Sequence, residues 1–493
     1  MITPQQRKTD HRLAENVTRR SVLRGAALGI AALASGVDPV FGEQSSARPN
    51  IVFIMADDLG YADVGCYGRP DLRTPNVDNL AAKGVRFLQA YANSAVCSAT
   101  RTALITGRYQ DRLSVGLDEP LAGRDVGLVP DVPTLPSLLK RAGYSTTLVG
   151  KWHLGLLPKY GPLKSGYDHF YGIRQGAVDY YTHSNDLWDD DVRMDQVGYL
   201  TDLLGSHAVN VVNDHARSGR PFLLSLHFTA PHWPWEAPGD DSESKRLAGH
   251  PLVDFDGGSQ KTYELMIEDL DRQVGRVVDA IHANGIAENT IVIFTSDNGG
   301  ERFADTWPFT GRKTELLEGG LRIPAIISWP ARIPQGRTTN QVGISMDWLP
   351  TLLAAAGANP DPAFPPDGTD LLPLLATNAA LIERKLFWRY KANAQRAARH
   401  GDYKFLKILD NTFLFNVVED PMERANLKER HKDIYDRLEA EWYAWNATML
   451  PEIDESYTDN FTGAQLADHI GSLKATGKAD NPTPQASPSV NPR

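Results

Sequence analysis

Between Pro49 and Asp57 the chain reads Ile51-Val52-Phe53-Ile54-Met55 with no polar side chain, the pattern of a strand buried on both faces. The same texture recurs at Ser145-Thr-Thr-Leu-Val149, Phe222-Leu-Leu-Ser-Leu-His-Phe228 and Thr290-Ile-Val-Ile-Phe-Thr295. Helical periods alternate with these runs. One opens at Thr74, the expected cap, with Pro75 at its first position and Gly84 just past its end. A second covers Pro136 to Ala142. A third carries the apolar stripe Leu265, Ile267, Leu270, Val274, Val277, Val278 and Ile281. Strands that alternate with helices need crossover connections. The expected fold is therefore α/β, a large mixed, mostly parallel sheet covered by helices on both faces.

The texture changes after about residue 375. Lys385–Tyr390, Gln395–Arg399, Tyr403–Lys407 and Thr412–Asn416 are short runs between turn residues, which predicts an antiparallel meander. A helix over about 433–445 follows, with Ile434, Leu438, Trp442 and Trp445 on its apolar face. The expected organisation is a main body over 48–375, a smaller C-terminal α+β subdomain over 376–460, and an extended tail over 461–493. The end of that tail, rich in Pro, Ser, Asn and Ala, reads as disordered.

Residues 1–47 read as an address and a linker. Arg19-Arg20 precedes an uncharged apolar run from Gly25 to Val37, too short to span a bilayer and suited to a signal sequence. The paired arginines resemble a twin-arginine export signal. Its export machinery is then a partner, and the product is a periplasmic or secreted bacterial protein without an integral membrane segment. The 493 residues carry a net charge of −10 and no basic run beyond the N-terminus, which argues against nucleic acid as a partner.

In open α/β sheets ligands bind beyond the carboxyl ends of the strands. There the chain places Asp57-Asp58, Ala230-Pro231-His232-Trp233-Pro234 and Ser296-Asp297-Asn298-Gly299-Gly300. Singly, the acidic pairs read equally well as a helix cap and a tight turn. Together, three carboxylates and one amide make an all-oxygen site for Ca²⁺ or, less well, Mg²⁺. Lys151 and His153 lie in the glycine-bracketed turn Gly150–Gly155, and Lys313 follows Gly311. Cys97 stands before Arg101 at an expected helix start. By itself it reads as a small buried hydrophobe, as half of a disulfide with Cys66, or as a reactive thiolate. One metal, several fixed cations and one candidate nucleophile would suit in-line displacement at a phosphate or sulfate ester.

From Pro49 to about Leu427 these residues follow an order that resembles the type I sulfatases of the alkaline phosphatase superfamily, in particular the arylsulfatase and N-acetylgalactosamine-6-sulfatase-like members. The likeness rests on Ala56-Asp-Asp-Leu-Gly60, Gly65-Cys-Tyr-Gly68, Thr74–Leu80, Cys97–Gly107, Gly150-Lys-Trp-His153, Pro231-His232, Asp297-Asn298-Gly299 and Asp420–Leu427. It implies that a maturase oxidises Cys97 to formylglycine (3-oxoalanine), whose hydrated aldehyde attacks sulfur. It also implies calcium held by Asp57, Asp58, Asp297 and Asn298 together with residue 97. Arg101 and Lys151 would then hold the hydrate and the sulfate, His153 would take a proton so that sulfate is expelled, and His232 with Lys313 would serve the leaving oxygen. Cys66 matches a structural cysteine.

One position departs from the family pattern, because Ala99 stands where proline is usual. The implied substrate is a sulfated carbohydrate, with aryl sulfates as artificial substrates. Two other functions fit the same residues: a formylglycine-dependent phosphonate or phosphate monoester hydrolase, and a calcium-dependent glycan-binding homologue without catalysis. Asp179-Tyr180-Tyr181-Thr182-His183, Trp188, Trp233, Trp235 and Trp307 are candidates for stacking on a sugar, against the plainer reading of core or rim packing.

Overall fold

The computed structural model describes residues 48–120, 125–247, 257–377 and 379–452. The expected export signal and the tail lie outside them. Ten strands build one sheet: β1 (Asn50–Ala56), β2 (Val85–Tyr91), β3 (Ser145–Lys151), β4 (His169–Ile173), β5 (Leu187–Asp189), β6 (Val192–Arg193), β7 (Phe222–His227), β8 (Thr290–Ser296), β9 (Ala325–Ser328) and β10 (Arg337–Ile344). Their spatial order is β10-β2-β9-β8-β1-β7-β3-β4-β5-β6. The central run β8-β1-β7-β3-β4 is parallel, with Ile51 opposite both Leu223 and Ile291. β9 and the β5-β6 edge are antiparallel to their neighbours, so the sheet is mixed.

Residues on β1 divide by parity between two apolar layers. Val52, Ile54 and Ala56 pack with Leu270, Val274 and Ile281, whereas Ile51, Phe53 and Met55 pack with Leu138, Leu139 and Leu352. Burial on both faces is the reason this strand carries no polar alternation.

The long helix spans Gln260–Ala283, and its buried face is set by Tyr263, Met266, Ile267, Leu270, Val274, Val277 and Ile281. Leu265, expected on that stripe, is 36% exposed, and Val278 is half-buried at its margin. Both sit off the 3.6-residue line that the other residues follow. Thr74 does not cap the helix Pro75–Ala82 either. Its hydroxyl accepts the Gly65 N–H and donates to Asp78. The free N–H groups of Asn76 and Val77 are taken instead by the Asp271 carboxylate, from the long helix, at 3.1 and 2.8 Å.

A second, four-stranded sheet is the expected antiparallel meander, β11 (Lys385–Tyr390), β12 (Gln395–His400), β13 (Tyr403–Ile408) and β14 (Asn411–Asn416), paired in chain order. The helix Lys432–Asn446 covers it with Tyr435, Leu438, Trp442 and Trp445, while Ile434 is left at the rim. This sheet shares its apolar core with Val96, Ala99 and Ala103. The Trp388 indole N–H also donates to the Ala92 carbonyl at 2.9 Å. It thus backs the helix Cys97–Thr106.

Candidate active site

The carboxyl ends of β1, β3, β7 and β8 converge, and backbone bonds lock their exits together. Asp57 N–H donates to Ala230 O at 3.1 Å and Asp297 N–H to Ala56 O at 3.2 Å. Gly150 has φ +113° and lies so close to β7 that a Cβ there would meet His227 O at 1.8 Å. A residue without a side chain at that point lets β3 run on to deliver Lys151.

Cys97 is the first residue of its helix, and its Sγ lies 3.4 Å from Asp57 Oδ1 and 3.9 Å from Asp58 Oδ1. One turn on, Arg101 donates to Asp297 Oδ2 from Nε and Nη2, at 3.1 and 2.9 Å, and to the Lys151 carbonyl from Nη1 at 3.1 Å. Lys151 Nζ reaches Asp57 Oδ2 at 2.5 Å. Lys313 Nζ lies 2.6 Å from Asp58 Oδ2 and 3.1 Å from His232 Nε2. Because His232 Nδ1 donates to the Trp233 carbonyl at 2.6 Å, its Nε2 carries the lone pair that faces the lysine. Asn298 Nδ2 donates to Asp58 Oδ1 at 2.7 Å, while its Oδ1 is buried with no hydrogen-bond partner.

Burial and the Asp297 charge push the Asp57 carboxyl above its ordinary range. Burial would raise Asp297 too, but Arg101 and Lys151 outweigh it and hold that carboxyl low. Three crowded carboxylates and an unsatisfied amide oxygen are a hard, acceptor-only donor set. They fit a divalent cation with oxygen preference. Asp57, Asp58, Cys97 and His232 each offer a ligand atom within 4.8 Å of the others.

His153 takes a left-handed backbone, φ +55°, and both of its buried ring nitrogens have no hydrogen-bond partner. Burial and the charges of Lys151 and Arg101 hold its pKa well below the ordinary value, so the ring is a neutral base at neutral pH. Gly176 makes room for it, since a Cβ there would come within 2.7 Å of the ring.

Asp57, Asp58, Cys97, Arg101, Lys151, His232, Asp297, Asn298 and Lys313 thus meet at one place, with His153 in the field of its lysines and arginine. Others carried no signal. Burial raises the Glu119 carboxyl while Lys313 and Lys151 pull it down, which puts Glu119 in the field of the site. Tyr180, offered as a stacking platform, is wholly buried and donates its hydroxyl to the His232 carbonyl at 2.9 Å. Trp235 and His183 are buried as well, and Trp233 packs on the His232 ring. Trp307, by contrast, is 64% exposed.

Residues 49–358 match the family described as Sulfatase, and residues 311–446 match the C-terminal part of N-sulphoglucosamine sulphohydrolase. The chain belongs to the sulfatase family. N-acetylgalactosamine-6-sulfatase of Sus scrofa is 35% identical over 386 residues, 72% of this chain and 71% of the relative. Arylsulfatase A of Homo sapiens is 34% identical over 390 residues, 72% and 74% of the two chains. Among solved structures, Ps i-CgsB in complex with k-i-k-neocarrahexaose superposes with a TM-score of 0.76 at 30% identity, covering 86% of this chain and 98% of that one.

The sulfatase relationship also bears on the two cysteines. Both are free thiols, so Cys97 is not half of a disulfide with Cys66. Nor does Cys97 sit where a reactive thiolate would. Burial and the Asp57 charge push its thiol well above its ordinary value. Among the described residues of this sulfatase no helix is long and apolar enough to cross a membrane.

Proposed function

We propose that this sulfatase hydrolyses a sulfate ester of a carbohydrate, with aryl sulfates as artificial substrates. The reading requires formylglycine made from Cys97 and a calcium ion held by Asp57, Asp58, Asp297 and Asn298 with residue 97. The observation that carries it is the position of Cys97 Sγ, against two carboxylates in a buried pocket. A thiolate is repelled there and is a soft ligand besides, whereas an oxygen function at the same atom position joins a hard-cation donor set.

When bound, calcium would favour the ionised form of the hydrated aldehyde and draw charge from the sulfate oxygens. The chain's own residues do the rest. Arg101 and Lys151 fix the anionic end of the substrate, each already held by a carboxylate or carbonyl partner and so preorganised. Lys313 keeps its charge, because Asp58 outweighs burial, and can give a proton to the leaving oxygen with His232 accepting from behind. Neutral His153, with an open ring nitrogen, takes a proton from the hydroxyl of residue 97.

The carbohydrate assignment draws on the galactosamine-sulfate relative and on the neocarrahexaose bound by the structural neighbour. The partners of this reading are a maturase that recognises Cys97–Arg101 with Ala99, and the twin-arginine machinery, with a periplasmic or secreted product. Peptide mass spectrometry across residue 97, on protein from its own host, tests it. An aldehyde there together with faster turnover of sulfate than of phosphonate or phosphate monoesters supports the proposal. The reverse preference favours the monoester hydrolase. An intact thiol together with glycan binding and no turnover makes the chain a binding protein.

A further inference from the structure

A second polar cluster lies away from these strand ends. His169 opens β4 opposite Thr147 of β3, four residues before Lys151. At about 3.3 Å per residue that sets the cluster some 13 Å back along the sheet. His169 Nδ1 lies 2.9 Å from Asp190 Oδ1, which also accepts the Phe170 N–H at 2.8 Å. A carboxylate only accepts. The imidazole hydrogen therefore sits on Nδ1, and Nε2 carries the lone pair.

That Nε2 points at Nε2 of His207, 3.1 Å away on the helix Leu200–Ser218. The His207 ring is clamped in turn by Tyr171, with ring centroids 4.1 Å apart and planes 2° from parallel. Two nitrogens each about 2.0–2.1 Å from a shared ion and this far apart subtend an angle of about 100°, between tetrahedral and octahedral values. Both rings are half-buried, so further coordination positions open to water, and Asp189, whose side chain is 42% exposed, adds negative charge beside them.

We propose that His169 and His207 chelate a divalent transition ion of the zinc type through their Nε2 atoms, with Asp190 as the carboxylate that orients His169. Imidazole pairs favour Zn²⁺, Ni²⁺ or Cu²⁺ over calcium, so this site and the all-oxygen site select different ions. The ion ties the helix to the margin of the sheet and stabilises the fold by binding only the folded chain. The carboxylate–histidine–metal arrangement is the usual way in which a protein fixes the ligating tautomer.

The test is titration of the calcium-saturated full chain with Zn²⁺, read by calorimetry and by melting temperature. It is run in parallel on Cys97→Ala protein, which removes the competing thiol. The expected result is one Zn²⁺ bound per chain in both, with a rise in Tm. His207→Ala should abolish binding and rise alike, and Asp190→Asn should weaken binding by about 10- to 100-fold. Aryl sulfate turnover of His207→Ala should match that of the parent, since neither histidine touches the catalytic site. His207→Gln guards against a folding defect, because it keeps a polar partner for His169 and should still lose the zinc. No Zn²⁺ uptake, or uptake that the His207 variants leave unchanged, overturns the proposal. In that case a hydrogen bond between the two rings explains the 3.1 Å contact.

Discussion

Lys313 Nζ lies 2.6 Å from Asp58 Oδ2, although 255 positions separate the two residues in the chain. Asp58 follows β1 and Lys313 follows the loop beyond β8, and the Lys313 N–H donates to Gly300 O at 2.9 Å. In the proposed reading, this cation, held beside a carboxylate of the calcium site and a neutral imidazole, protonates the departing oxygen.

The first prediction concerns that proton. Lys313→Met and His232→Ala should each lower kcat/KM by about 10²- to 10⁴-fold for a sugar sulfate, whose alcohol leaves poorly without it. An aryl sulfate with an acidic phenol should lose far less. The measurement is the slope of log kcat/KM against leaving-group pKa. A uniform loss across the series would assign both residues to sulfate binding instead.

Metal removal is the second. Burial and Asp297 keep Asp57 protonated to higher pH than an ordinary carboxyl when no cation offsets them. Calcium must displace that proton, so its affinity should rise with pH through the neutral range. Calorimetry in buffers of different ionisation enthalpy should detect proton release on calcium binding at pH 7, and chelation should remove turnover until calcium is restored. Calcium uptake without any proton release would mean that Asp57 is already ionised.

Glu236 supplies a third. It follows the His232 loop, is wholly buried, accepts the Tyr180 N–H at 2.7 Å through Oε2, and has no hydrogen-bond partner at Oε1. Burial pushes its pKa from 4.5 up to about 9. A carboxyl raised on folding contributes stability that is complete below pH 4.5 and is lost as pH climbs towards 9. Glu236→Gln, neutral at every pH, should flatten denaturant-derived stability over that interval, where the parent loses up to about 1.4 kcal/mol per pH unit from this group. Parallel curves for parent and variant would show that the folded protein tolerates the charge.

The fourth tests the join between the sheets. Lys404 is fully buried, 2.9 Å from Glu318 and 3.0 Å from Glu423. Lys404→Met should cost about 3–5 kcal/mol, because it strands buried carboxylates. Adding Glu423→Gln should recover part of that loss in thermal unfolding. Glu318 opens the helix whose Gly320 carbonyl accepts the Gly299 N–H at 3.0 Å, so calcium affinity should weaken along with stability.

The sequence by itself determined the strands that are buried on both faces, because such a strand shows no polar alternation, and the C-terminal meander, because short runs between turn residues pair with their neighbours. It also marked the residues at strand ends, since parallel sheets put their ligands there. Only the tertiary structure decided what distant segments do to one another. Asp271, not Thr74, caps the helix Pro75–Ala82, and Tyr180 supports His232 where it could have met a sugar. Cys66 and Cys97 stay unpaired, and Asp58 meets Lys313. Local periodicity reflects how a segment meets one layer of core. Capping, pairing and charge placement depend on distances in space that only the packed chain sets.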